Sequence, residues 1–269
     1  MKNKIGIGVI TCNREDFFKK TVQSLPEVDT IVVVNDGKPY PPACYPKKVK
    51  EVLQHNQNKC VGISKNEALR YMIQDGCDHL FLIEDDIEVI NPNVCIEYIK
   101  AAEASGIWHL NFGYHGPANF VPNAYGVKNP RQVVEYPDGI EIALNPHCVG
   151  AFSYYLKSII KNVGYIDERF YNAWDHVEHT YRIIKMGLHP PFWWFADVAK
   201  SDTLLKELAS SETNSTIRKT EEWLRKMREG AEFYRYKHGI YPTQAQDSAP
   251  DQVLKCLQDI KNKYARKVL

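Results

Sequence analysis

The sequence predicts an α/β protein with a mostly parallel central sheet flanked by helices, followed by a C-terminal helical extension. Three observations carry this. Short apolar, β-branched runs recur at 5–11, 30–34 and 79–83; stretches with helical spacing separate them; and from about residue 200 the chain becomes polar and helix-patterned. Strands buried on both faces read as near-continuous apolar runs. Their alternation with helices implies a parallel sheet covered on both sides.

The elements follow in order. Residues 5–11 form the first strand, and 14–24 read as a helix with Phe17, Phe18, Val22 and Leu25 on one side. Residues 30–34, Thr-Ile-Val-Val-Val, form a doubly buried strand that Asn35-Asp36-Gly37 ends as a turn. Pro39, Pro41, Pro42 and Pro46 then forbid regular structure. Residues 62–75 are a helix with Ala68, Leu69 and Met72 toward the core. Residues 79–83 are the next buried strand, running directly into Glu84-Asp85-Asp86; a helix at 92–105 and a strand at 107–112 follow. Residues 113–150, rich in Gly and Pro, read as a loop-rich insert with one or two short strands. Residues 153–162 and 174–186 read as helices, 190–195 (Pro-Pro-Phe-Trp-Trp-Phe) as an aromatic strand, and 219–237 and 250–266 as the helices of the extension. The expected division is one domain at 1–200, with halves 1–112 and 113–200, and the extension at 201–269.

Composition narrows the function classes. The 269 residues are 44% apolar and 25% charged, enough for a full core. Lys and Arg total 34 against 33 for Asp and Glu, so nucleic acid is not the expected partner. The apolar run after Lys2 and Lys4 is too short for a signal peptide, and no stretch approaches a bilayer span. Seven scattered cysteines with no Cys-x-x-Cys pair fit reduced thiols and a cytoplasmic location.

Three clusters carry chemistry. Glu84, Asp85 and Asp86 stand at the carboxyl end of a buried strand, where open parallel sheets bind ligands. A solvated acidic turn is the plainer reading, but the Phe-Leu-Ile run that pins the triplet to a strand end favours a hard cation, Mg²⁺ or Mn²⁺. Asp36 lies just past another buried strand and is either a turn former or a nucleotide ligand. Residues 58–66 open a helix whose backbone amides, with Lys59 and Lys65, suit a diphosphate, or are simply a helix start with solvated lysines. In Trp174-Asp175-His176-Val177-Glu178-His179, an Asp or His is placed to take a proton from a hydroxyl. A metal pair of His176 with His179 is less expected at this spacing, and a polar face packed beneath aromatics is the plainer alternative.

Five segments in order resemble family 2 GT-A glycosyltransferases. They are Ile7-Gly8-Val9-Ile10-Thr11-Cys12-Asn13-Arg14; Val33-Val34-Asn35-Asp36-Gly37; Asn58 to Asn66; Ile83-Glu84-Asp85-Asp86-Ile87-Glu88-Val89; and Gly164-Tyr165-Ile166-Asp167-Glu168-Arg169-Phe170 with Trp174-Asp175-His176. The match covers about residues 4–188. The Glu-Asp-Asp form of the DxD element is also similar to that of the N-acetylglucosaminyltransferase I family. The chain departs from the pattern at Asn35, where the first Asp of the nucleoside motif is expected, at Lys65, where Arg is usual, and at Asp175-His176, where Glu-Asp is common.

The resemblance implies a GT-A fold with a nucleotide-sugar half at 1–112 and an acceptor half at 113–200. It implies metal-dependent transfer, with inversion, from a UDP-linked donor to a hydroxyl of a glycan, glycoprotein or lipid-linked acceptor. Thr11, Asn13, Arg14, Asp36, Lys59, Lys65, Asn66, Glu84 and Asp85 are the expected donor contacts. Asp86 and Glu84 are the expected ligands of Mn²⁺ or Mg²⁺, and Asp175 or His176 the base. Since sugars stack on aromatic faces, the insert at 113–150 with Trp193 and Trp194 is expected to form the acceptor wall. A non-catalytic nucleotide-sugar-binding subunit is the alternative, kept open by the altered base motif. A sugar nucleotidyltransferase lacks support, since no Gly-rich phosphate loop follows the first strand, and a metallohydrolase site at 175–179 leaves the first half unexplained. The last helix, with Lys255, Lys261, Lys263, Arg266 and Lys267, reads as a solvated basic face, with homo-oligomer contact through the C-terminal helices or peripheral membrane contact as the alternatives.

Overall fold

The computed structural model describes residues 3–171, 173–208 and 221–265. Its centre is a six-stranded sheet. Strands β1 (Ile5–Thr11), β2 (Thr30–Asn35), β3 (Glu51–Gln54) and β4 (His79–Glu84) form its first part. After the short β5 (Ile87–Val89) come β6 (His109–Asn111), then β7 (Phe120–Val121), β8 (Ala124–Lys128), β9 (Gln132–Tyr136) and β10 (Ile140–Asn145). Strand β11 (Phe152–Leu156) returns to the sheet, and β12 (Phe195–Val198) and β13 (Leu205–Glu207) complete the set. The sheet order is β3-β2-β1-β4-β11-β6. Strands β1 to β4 pair in parallel, whereas β11 runs antiparallel to both β4 and β6.

Helices α1 (Glu15–Ser24), α2 (Val61–Gln74) and α3 (Val94–Ser105) cross over between strands; α4 (Lys157–Val163) and α5 (Asp175–Lys185) follow β11. Val9, Val32, Val33, Val34, Leu80 and Phe81 are wholly buried between the helical layers, as continuous apolar strands require. Gly8 lets α2 approach β1: a Cβ there would lie 2.7 Å from Ala68 Cβ.

Three expectations change. Residues 152–156 form a strand where a helix was expected from 153. All five are buried between β4 and β6, and the helix starts only at Lys157; a short apolar run has no period that separates the two states. The aromatic strand begins at Phe195, because Pro190 and Pro191 lack N–H donors and residues 191–194 close a turn, with Trp194 N donating to Pro191 O at 3.1 Å. The insert holds four strands: β7 pairs with β8, while β9 and β10 join β12 in a three-stranded sheet.

The C-terminal helices α6 (Glu221–His238) and α7 (Pro250–Tyr264) pack on the sheet domain. On α6, Phe233 and Tyr234 meet Phe170, and Met227 O accepts a hydrogen bond from Trp174 Nε1 at 2.9 Å. On α7, Val253, Leu257 and Ile260 are buried, and the helix lies against α3. Lys261 and Lys263 lie over the rings of Tyr136 and Tyr264, while Arg266 and Lys267 fall outside the described residues. Among the described residues no helix is long and apolar enough to cross a membrane.

Candidate functional site

The strand order reverses between β1 and β4, so a crevice opens beyond their carboxyl ends. Thr11 ends β1, Asn35 and Asp36 end β2, and Glu84 to Asp86 end β4; the sequence-selected residues of the first half therefore converge.

On the β2 side the structure gives Asp36 a definite task. It is 2% exposed, and its Oδ1 accepts hydrogen bonds from Lys59 N (2.7 Å) and His55 Nδ1 (2.6 Å), its Oδ2 from Cys60 N (2.9 Å). Asp36 thus clamps the loop that enters α2. The amides of 59 and 60, expected at a diphosphate, are spent on it. The Lys59 side chain is exposed beside Glu67 (3.3 Å). Asn13, with φ +56°, takes the amide of Lys38 at 2.8 Å and sits so close to Gly37 that a Cβ there would meet its Oδ1 at 2.6 Å. It staples two loops at the mouth of the crevice.

At the β4 end, Arg14 bridges the two aspartates. Its Nη1 donates to Asp86 Oδ2 at 3.0 Å and its Nη2 to Asp85 Oδ1. Thr11 Oγ1 donates to Asp85 Oδ2 at 2.7 Å and receives the Tyr40 hydroxyl proton at 2.9 Å. Burial, the largest influence, pushes the Asp85 carboxyl up to about 6 against the pull of Arg14. Burial acts on Asp86 the same way, but the close approach of His115 and the charge and hydrogen bond of Arg14 outweigh it and hold Asp86 well below the usual carboxylate range. Arg14 and Asp85 therefore neutralise each other inside the wall, whereas Asp86 keeps its charge.

Asp86 Oδ1 lies 3.3 Å from His115 Nε2. The atoms are in ion-pair range but not aligned to share a proton, and both are buried without a hydrogen-bond partner. A buried anionic oxygen that makes no hydrogen bond and faces an imidazole nitrogen fits a cation ligand. Glu84, expected beside Asp86, instead places its Oε1 2.8 Å from Lys65 Nζ. Among the described residues no three His, Cys, Asp or Glu side chains stand as a ready metal cage. What the site offers is a partial ligand set of the kind that phosphate oxygens and water complete.

Lys65 and Asn66, expected at the donor, belong to the frame. Lys65 is 3% exposed, and its ammonium also donates to Gly150 O at 2.9 Å and lies 3.6 Å from Asp175 Oδ2. Asn66 is fully buried, its amide spent on both backbone groups of Ile166 (2.8 and 3.0 Å) and on Glu168 (2.9 Å). Neither reaches open space.

Asp175 opens α5 after Trp174, whose φ of +65° turns the chain. Burial opposes its charge, but Lys65 prevails and holds the carboxyl well below its ordinary range. It is 3% exposed, whereas the His176 side chain is 27% exposed, with Nδ1 3.4 Å from Asp175 Oδ1. Gly150 admits that ring: a Cβ there would lie 2.6 Å from His176 Cγ. His179 is buried on Gly164 O (2.9 Å), which excludes a metal pair with His176. Trp193 and Trp194 donate their indole N–H groups to Ala245 O (2.7 Å) and Asp247 Oδ1 (3.0 Å), and Trp194 is buried. They fasten the segment before α7, and Trp194 cannot line an acceptor wall.

Sequence reasoning missed His115 and Glu207. His115 stands in Gly113-Tyr114-His115-Gly116, a Gly-flanked histidine that was a usable signal; Glu207 arrives through the pairing of β13 with β5, directly after the acidic triplet, which nothing local announces. A separate cleft of roughly 490 Å³, bounded by Asn91, Glu97, Lys100, Glu141 and Lys200, contains none of these residues.

No protein-family model and no curated protein matches the chain by sequence. Solved structures match it by shape. Mannosyltransferase PcManGT from Pyrobaculum calidifontis, in complex with GDP-Man and Mn²⁺, is 10% identical with a TM-score of 0.56, over 98% of this chain and 70% of that one. TarS from S. aureus is 15% identical with a TM-score of 0.53, over 96% of this chain; this chain spans 48% of the TarS length. The shorter TarS 1-349 in complex with UDP-GlcNAc is 15% identical with a TM-score of 0.51, over 96% and 80%. With its parallel strands, its reversal point between β1 and β4 and its one antiparallel insertion, the chain has the GT-A fold.

Proposed function

We propose that the chain is a glycosyltransferase that moves a sugar, with inversion, from a UDP-linked donor to a hydroxyl of a glycan, glycoprotein or lipid-linked acceptor. The observation that carries this reading is a chain of charges, in which Lys65 joins the buried, charged Asp175 to the half-buried Glu84, two residues before Asp86 and its oxygen without a hydrogen bond. That chain of contacts ties the strand end that carries the cation ligand to the helix start that carries the proton acceptor. Solved GT-A neighbours in complex with UDP, UDP-GlcNAc, and GDP-Man with Mn²⁺ support the donor class.

The residues divide the work as follows. Asp36 fixes the 58–60 loop, and with Thr11 and Asn13 it shapes the nucleoside pocket. Asp86 would hold the cation, which when bound would neutralise the charge that develops on the departing diphosphate. Asp175 and His176 act as a pair: the carboxylate supplies a permanent negative charge, and the more exposed imidazole receives the acceptor proton. Lys65 holds Asp175 ionised and in place.

A screen of UDP- and GDP-sugars for Mn²⁺-dependent donor hydrolysis and transfer tests this. The expected result is turnover with a UDP-sugar that Asp86→Ala abolishes. Asp175→Asn and His176→Ala should each lower transfer by about 10²-fold or more with donor binding retained. Donor binding with no turnover in any combination would establish the silent binding subunit instead. Either variant transferring at the wild-type rate would remove that residue from the chemistry.

A further inference from the structure

One pair of atoms in the crevice is not explained by the fold. Asp86 and His115 are both more than nine-tenths buried, yet Asp86 Oδ1 and His115 Nε2 face one another at 3.3 Å with no hydrogen-bond partner among the described residues. They stand in ion-pair range, yet neither makes a hydrogen bond, which leaves their coordination incomplete in a buried place. Two donor atoms bound cis to one divalent cation, each about 2.1 Å from it, stand about 3.0–3.4 Å apart. The observed separation is already that of a ligand pair.

The surroundings agree. Asp86 Oδ2 is anchored by Arg14, which aims Oδ1 away from the guanidinium. Glu207 Oε2 is held by Gly116 N at 3.1 Å, and its Oε1 lies 3.7 Å from His115 Nε2, within reach of a cation-bound water. Glu84 is turned to Lys65.

We propose that His115 is the second protein ligand of the cation, so that the site takes a transition-metal ion such as Mn²⁺ in preference to Mg²⁺. An imidazole nitrogen suits transition ions, whereas Mg²⁺ favours oxygen donors and keeps its water. With only two protein ligands, the cation binds together with a nucleoside diphosphate whose oxygens fill the sphere. The proposal rests on the glycosyltransferase reading in that respect alone.

The test is pulsed EPR of Mn²⁺ added to the full chain with UDP, beside competition of Mn²⁺ by Mg²⁺. Bound Mn²⁺ should show ¹⁴N modulation from a directly coordinated imidazole and should resist Mg²⁺ by at least about tenfold in affinity. His115→Ala should remove the modulation and weaken Mn²⁺ by about 10- to 100-fold, with Mg²⁺ binding little changed. The wild-type spectrum stands whether or not that variant folds. Mn²⁺ bound with UDP but without ¹⁴N modulation would overturn the assignment of His115 and leave the function intact. Failure of the wild type to bind either UDP or Mn²⁺ would overturn both.

Discussion

Lys65 joins two carboxylates and a backbone carbonyl inside the molecule, so removing its charge has a consequence that can be worked out. In Lys65→Met the stem is replaced at similar volume, while Glu84 and Asp175 lose the ammonium at 2.8 and 3.6 Å. Breaking a buried pair by deleting one partner costs about 3–5 kcal/mol, because a buried charge is left uncompensated. In a chain of this size that lowers Tm by roughly 10 °C. The sign with pH follows. In the wild type the Asp175 carboxyl is depressed, so its stabilisation is present above the unfolded value near 3.9 and is lost as pH falls through the folded one. In the variant, burial acts without Lys65 and raises the carboxyl, so protonation on lowering the pH relieves the variant. The gap between the two proteins must therefore shrink as pH falls from 7 toward 4. Urea unfolding at pH 7, 5.5 and 4 measures it. A gap below about 1 kcal/mol at pH 7, or one independent of pH, refutes the argument. Lys65→Arg keeps the charge but overfills the site, and should cost about 1–3 kcal/mol.

Burial lowers the imidazoles of His179 and His189 to about 4, beneath an unfolded value near 6.5. The unfolded chain then binds more protons between those limits, so stability at pH 5 should fall by about 2 kcal/mol per histidine relative to pH 7; a flat urea-unfolding profile contradicts this. Gly150→Ala forces a methyl to 2.6 Å from His176 Cγ, so the ring must move; turnover should drop about 10²-fold while the KM for donor stays near wild type, and unchanged turnover excludes His176 from the working geometry.

The sequence showed which residues converge at the strand ends better than it showed which partner each atom takes. β1 was placed to the residue and α2 to within one, because a doubly buried strand leaves a continuous apolar run and the 14-residue helix places Ala68, Leu69 and Met72 on its buried side. The acidic triplet was correctly set at a strand end. A motif, however, gives neighbourhood and not partners. Asp36, Lys65 and Asn66 lie near the crevice as expected, yet their polar atoms are taken by 59–60, by Glu84 with Gly150, and by 166–168. Trp193 and Trp194 suggested a sugar platform, but their N–H groups are satisfied by residues some fifty positions later, a pairing no local pattern encodes. Strand β11 escaped for a related reason: its identity depends on β4 and β6 on either side of it.

That strand has a further consequence. Strands β6 and β11 are neighbours in the sheet, with Asn111 paired to Ser153 and Phe112 N donating to Phe152 O at 3.0 Å. The whole excursion from 113 to 151 therefore leaves and re-enters the sheet at adjacent points, like a pocket sewn along one seam. Closing a loop whose ends are already fastened costs little more as it lengthens, since doubling its length adds only about 0.6 kcal/mol. Beside the seam, Glu84 N donates to Ala151 O at 2.8 Å, so the last residue of the excursion is fastened to β4 through backbone atoms alone. His115 and Gly150 stand within three residues of these fastenings, so both are held at the ends that the sheet pins.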